Sequence, residues 1–256
     1  MYFPPKPEHQ KITKLYEGNE QYNPIARGSD AQRFNGNLKR PVVYIFNHEE
    51  FTNKSINRPG STTDVQALRK TFKNMKCEVN EISNPTSAEV KNKIRELAGK
   101  SFDRLSGFVI VILSHGGRGE RIVACDSNMY HLDDDILFPL FANKSLRGKP
   151  KILIVQACKG EWEADAALIR RNNEPYIKCY SSSEGFVSYR RPSKGSIFIQ
   201  TLCNEMDHDG LTKDFRKIIE NVKQKVENES KLEGSKQTPS VCSNLTKPFC
   251  FGDYDP

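Results

Sequence analysis

Two apolar runs in this chain each end in residues able to do nucleophilic chemistry. KILIVQACKG, from Lys151 to Gly160, stops at Cys158, and GFVIVILSHGGRGE, from Gly107 to Glu120, stops at Ser114, His115, Gly116 and Gly117. Short continuous apolar runs read as strands buried on both faces. The carboxyl ends of such strands are where open α/β sheets collect reactive groups. The thiolate, not the thiol, attacks a carbonyl, so an imidazole that can take or balance the proton is the usual partner. If the two strands are neighbours, His115 and Cys158 stand side by side. Gly116 and Gly117 bring backbone close to a substrate with no Cβ in the way. The N–H groups of Gly116 and Cys158 are then candidates for holding the oxyanion of a tetrahedral intermediate.

Each residue has a plainer reading taken singly. Free Cys is among the most buried residue types, and a His beside glycines often serves a turn. A buried, chemically silent Cys158 would leave the matching histidine strand end as coincidence.

The surrounding motifs sharpen the reading. QACKG at Gln156–Gly160 and SHG at Ser114–Gly116 resemble the cysteine and histidine signatures of the caspases. The similarity continues through Arg58-Pro59-Gly60 with Thr63-Asp64-Val65, GFVSYR at Gly185–Arg190, GSIFIQTLC at Gly195–Cys203 and KQTPSVCSNLTK near the carboxyl end. It covers the chain from about Pro41 to Phe251. Lys159 departs from the commonest pattern, keeping a positive charge without the planar fork of arginine. The resemblance implies a three-layer α/β sandwich with a mostly parallel six-stranded sheet and helices on both faces. It also implies an endopeptidase that cuts protein substrates after aspartate, in cell death or a related cascade. A catalytically weak homologue acting as a binding or decoy partner is the alternative.

Cutting after aspartate requires a pocket that holds a desolvated carboxylate, which is costly unless charge-assisted hydrogen bonds replace water. By resemblance, Arg58 and Arg190, with Gln156 beside them and Ser188 close by, form that pocket. Acidic residues there would instead have pointed to cleavage after Arg or Lys. The neighbouring pocket reads Val187-Ser188-Tyr189, with Val where effector members carry an aromatic, and Ile197 stands where effector members resemble one another in having Trp. A strict Asp-Glu-x-Asp preference is therefore not expected.

Composition agrees with a single α/β domain. The 256 residues are 36% hydrophobic and carry 39 Lys and Arg against 32 Asp and Glu, a formal net charge of +7. The basic residues are dispersed, without a basic helix stripe or an RNP-like aromatic pattern, so no specific nucleic acid is expected. MYFPPKPEHQ shows neither a signal peptide nor an Arg-rich presequence, and no apolar stretch is long enough to span a membrane. Seven cysteines, an odd number without paired spacing, point to reduced thiols and a cytoplasmic location. No metal or organic cofactor is implied.

The elements that must position these residues follow from periodicity. Strands are predicted at Val42–Phe46, Cys77–Ile82, Gly107–Leu113, Arg121–Cys125, Lys151–Ala157, Tyr176–Ser181 and around Ser240–Leu245. Helices are predicted at Thr63–Met75, from a Thr86/Glu89 capping box to Ala98, and over Asp133–Phe141, Ser196–Met206 and Leu211–Asn228. Residues 1 to about 35 read as a disordered leader.

The polar connector from Glu161 to Pro175 holds Trp162-Glu163-Ala164-Asp165 before Ala166. Asp165 is either the cap of a short helix or, by resemblance, the site where a zymogen is cut into a large part, 36–165, and a small part, 166–256. Asp30 before Ala31 is a similar site for removing the leader. Further partners implied by the family are proteins with exposed Asp-containing loops, caspase inhibitors or activators, and a second copy. Two large/small pairs would join through the edge strand at Ser240–Leu245.

Overall fold

A computed structural model describes residues 37–117, 119–157, 174–182, 194–232, 234 and 236–256, and the backbone alone at 190–191. The strands, in chain order, are β1 Val42–Asn47, β2 Val79–Ser83, β3 Phe108–Leu113, β4 His115–Gly116, β5 Arg121–Val123, β6 Met129–His131, β7 Lys151–Gln156, β8 Tyr176–Tyr180, β9 Arg190–Arg191, β10 Gly195–Ser196 and β11 Ser240–Ser243. The helices are α1 Ser61–Asn74, α2 Ser87–Gly99, α3 Phe138–Ala142, α4 Ile197–Asp209 and α5 Phe215–Leu232.

Six strands form the central sheet in the order β11-β8-β7-β3-β1-β2. β1, β2, β3, β7 and β8 run parallel, and β11 is antiparallel to β8. β1, β3 and β7 are buried at every position, which explains why their sequences are continuous apolar runs rather than alternating ones. The two faces nevertheless separate with period two. Val109, Val111 and Leu113 of β3 enter one core, and Phe108, Ile110 and Ile112 enter the other.

The first core is covered by the apolar faces of α1 (Val65, Leu68, Phe72), α4 (Phe198, Leu202, Met206) and α5 (Phe215, Ile218, Val222, Val226). The second is covered by α2 (Val90, Ile94, Leu97) and by Ile122 and Tyr130 of the β5–β6 hairpin. Each such side chain contributes roughly 1.5–3 kcal/mol on burial. The Thr86/Glu89 capping box forms in full: Glu89 N–H donates to Thr86 Oγ1 at 3.2 Å, and Thr86 N–H donates to the Glu89 carboxylate at 2.7 Å. The layered α/β fold is therefore as the sequence implies.

Two local expectations are corrected. Asp133–Phe141 is not one helix: residues Leu132–Leu137 form a π-helical turn that hands over to α3. Phe138 N–H bonds Asp133 O, five residues back, next to Pro139, which has no N–H to continue an α-helical ladder. The helix predicted from Leu211 starts at Phe215, after a turn anchored by Thr212 and Lys213 N–H on Asp209 O. The short strands β4, β6, β9 and β10 carry too few residues to show a period in sequence.

Candidate active site

β3 and β7 are neighbours, and their last pair is Leu113 with Gln156. Ser114 N–H continues the contact by donating to Gln156 O at 3.0 Å. The chains leading to His115 and to Cys158 therefore leave the sheet side by side. Cys158, Lys159, Asp165, Val187, Ser188, Tyr189 and Asp30 lie outside the described residues, as does the side chain of Arg190.

His115 belongs to β4, which pairs antiparallel with β5. Its Nε2 lies 2.7 Å from Ile56 O, and its ring packs at 5.4 Å from the Phe51 ring. A carbonyl only accepts, so this bond assigns the neutral-form proton to Nε2 and leaves Nδ1 as the basic nitrogen. Gly117 N–H donates to Arg121 O at 2.8 Å. Bonded and non-bonded pairs alternate along an antiparallel ladder, so the adjacent pair Gly116 with Ile122 is non-bonded, and Gly116 N–H points away from β5.

Arg58 is 1% exposed and sits where the end of β1 meets the start of α1. Its Nη1 donates to His48 O at 3.0 Å and to Ser61 Oγ at 2.9 Å, and Ser61 Oγ in turn donates to Asn47 Oδ1 at 2.6 Å. Arg190 lies on β9, opposite Ser196 of β10. Asp64 joins the two arginine segments. Its Oδ1 accepts from Ser196 N–H at 2.9 Å and from Gln200 Nε2 at 2.7 Å, while its own helix begins three residues after Arg58. Burial raises the Asp64 pKa against the pull of those hydrogen bonds and of Arg58. Gly195, at φ +79°, is required here because a Cβ would run into Asp64 Oδ1 and would approach Gln200 Nε2 to 2.6 Å.

Gln156 is buried, and its Oε1 has no hydrogen-bond partner among the described residues. Ile197 is the first residue of α4 and is 4% exposed, packed in the same core as Val65 and Phe198. The fold thus brings His115, Gly116, Arg58 and Gln156 to one end of the sheet, whereas the described surroundings of Ile197 are core.

Sequence reasoning missed a second thiol and imidazole in contact. Cys125 Sγ is 3.5 Å from His48 Nδ1, and His48 Nε2 is 3.0 Å from Tyr130 OH. Burial, then the nearby Arg58 charge, pushes His48 down to about 3, and burial pushes Cys125 up to about 11. Both are neutral near pH 7, which suits a packed structural pair and not a thiolate nucleophile. A second missed feature had a visible signal: Lys178 interrupts the otherwise apolar strand YIKCY, and it is buried.

The caspase domain profile matches residues 40–250. Caspase-6 of Bos taurus is 31% identical over 248 residues, covering 83% of this chain and 84% of that protein. Caspase-3 of Mesocricetus auratus is 32% identical over 235 residues, covering 82% and 83%. The crystal structure of caspase-1 from Spodoptera frugiperda superimposes with a TM-score of 0.72 at 27% identity, covering 84% of this chain and 91% of that one. With the fold, the strand-end histidine and these matches in agreement, the chain belongs to the caspase family.

Proposed function

We propose that this protein is a cysteine endopeptidase that cuts protein substrates after aspartate. The observation that carries the reading is the pairing of Leu113 with Gln156, from which His115 and Cys158 each follow by two residues. His115 takes the Cys158 thiol proton, and Sγ attacks the peptide carbonyl carbon, forming the C–S bond as the carbonyl electron pair moves to oxygen. The N–H groups of Gly116 and Cys158 hold that oxyanion. Collapse breaks the C–N bond, and the imidazolium of His115 protonates the departing amine. Water then hydrolyses the thioester and restores the thiol.

Arg58, Gln156 and Arg190 bind the substrate aspartate, with Val187, Ser188 and Tyr189 lining the approach. The chain is made as a zymogen, cut after Asp165 and trimmed after Asp30, works in the cytoplasm in apoptosis or a related cascade, and pairs with a second copy along β11. No helix among the described residues is long and apolar enough to cross a membrane.

The test is alkylation by an aspartyl electrophile, mapped by mass spectrometry. Labelling at Cys158 that an acidic peptide blocks supports the reading. Labelling absent from Cys158, with no hydrolysis of Asp-containing peptides by the processed chain, would overturn it.

A further inference from the structure

Behind the histidine strand end lies a charge cluster built on a buried lysine and two half-buried carboxylates that the catalytic steps above do not use. Lys178 Nζ, on β8, is 2.8 Å from a Glu120 carboxylate oxygen and 3.0 Å from Asp133 Oδ1, and Tyr180 OH donates to the same Glu120 oxygen at 2.5 Å. The Lys178 side chain is 7% exposed. Burial alone would lower its ammonium, but the two carboxylates outweigh that and hold it above the usual lysine value.

Glu120 itself adopts φ +63°, in the left-handed region that a residue with a Cβ seldom occupies, and its carbonyl accepts from Leu132 N–H at 3.0 Å. One carboxylate is enough to balance a lysine, and Asp133 supplies one. The second, from a backbone in an unfavourable conformation, has work beyond charge balance. Glu120 closes the turn that returns from Gly117 to Arg121, so its carboxylate tethers that turn to β8, whose Tyr180 pairs with Val155 of β7. A cleft of about 10 Å³ lies between Gly117, Glu120, Val155, Ala157 and Tyr180, with room for about one water.

We propose that Glu120 is a positioning residue: held by Lys178 and Tyr180, it fixes the His115-Gly116-Gly117 turn against the end of β7, and so sets the histidine and the oxyanion donor relative to Cys158. This rests on the protease reading. It also ties strand ends that precede the connector to a strand that follows it.

The experiment uses the processed full chain and compares wild type, Glu120→Gln, Lys178→Met, the double variant and Tyr180→Phe. It measures kcat and KM on an Asp-containing peptide, the iodoacetamide alkylation rate at Cys158, and Tm. Glu120→Gln is expected to lower kcat by about 10-fold to 10²-fold, the scale of a small misplacement, with KM within about twofold and alkylation slowed in parallel. In the double variant, where no Lys178 ammonium is left for Glu120 to neutralise, kcat is expected to stay low. A double variant with wild-type kcat would show that Glu120 merely neutralises Lys178 and would overturn the proposal. So would unchanged kcat in Glu120→Gln. If Glu120→Gln does not fold, Tyr180→Phe decides, with a kcat loss of at least about threefold expected and unchanged kcat overturning the proposal. Wild-type protein without turnover would sink the protease reading instead. The alkylation rate at Cys158 would then still test Glu120, with equal rates in wild type and variant overturning the proposal.

Discussion

Leu113 of β3 and Gln156 of β7 are register partners at the carboxyl end of the sheet, and His115 and Cys158 each follow two residues later. The catalytic prediction comes from that offset. Cys158→Ala is expected to abolish hydrolysis of Asp-containing peptides while leaving Tm within a few degrees, because losing a thiol removes the nucleophile and little packing. His115→Ala is expected to lower kcat by at least ~10²-fold, within the range of general acid–base groups. Stopped assays on purified variants, with Tm as the folding control, check both.

In the proposed function, selectivity for aspartate rests on the two arginine segments. Arg190→Lys is expected to cut kcat/KM by more than tenfold, because an ammonium cannot reproduce a bidentate guanidinium contact. A peptide with Asn in place of the cleaved-side Asp is expected to be cut poorly, since it leaves the pocket charges without a counter-charge. Equal rates on Asp and Asn peptides would rule out this pocket.

Asp64 and Gly195 hold those segments together. Gly195→Ala places a Cβ at φ +79° against Asp64 and is expected to cost about 1–3 kcal/mol of stability. KM for Asp-containing peptides is expected to rise as β9 and β10 shift. Urea unfolding and steady-state kinetics on the same preparation separate the two effects.

Processing after Asp165 is expected to yield fragments that stay associated. β7 and β8 flank the connector and pair in parallel. Lys151, before the cut at Asp165, binds Glu174, after it, at 2.7 Å, as Lys178 after the cut binds Glu120 and Asp133 before it. Terminal sequencing and native mass spectrometry are the checks. An Asp165→Ala chain that is cut and activated as wild type would assign Asp165 to a helix cap.

The buried His48 and Cys125 pair predicts a pH dependence of stability. The His48 pKa is depressed in the folded chain, so its contribution is present above about pH 6.5, the ordinary histidine value, and is lost as pH falls toward about 3. Tm is expected to fall between pH 7 and pH 4, and to fall less in His48→Gln. Cys125, raised to about 11, is expected to resist iodoacetamide at pH 7. Rapid alkylation of Cys125 at neutral pH would contradict its burial.

The sequence by itself determined the strands of the central sheet and which residues terminate them. An apolar run such as FVIVIL at β3 can only be a segment buried on both faces, and the residues that terminate it, Ser114-His115-Gly116, are read directly from the chain. The Thr86/Glu89 capping box and the periodic faces of α1 and α2 were legible for the same reason: their partners lie within four residues. Tertiary structure alone decided which strand ends meet, because register is set by pairings between β3 and β7 across a long stretch of chain. It decided that β11 runs antiparallel and that Asp64 reaches Ser196. It also decided that Lys178 finds Glu120 and Asp133, and that Cys125 meets a neutral His48. Each of these contacts joins residues far apart in sequence, where local periodicity carries no information and burial dictates the partner.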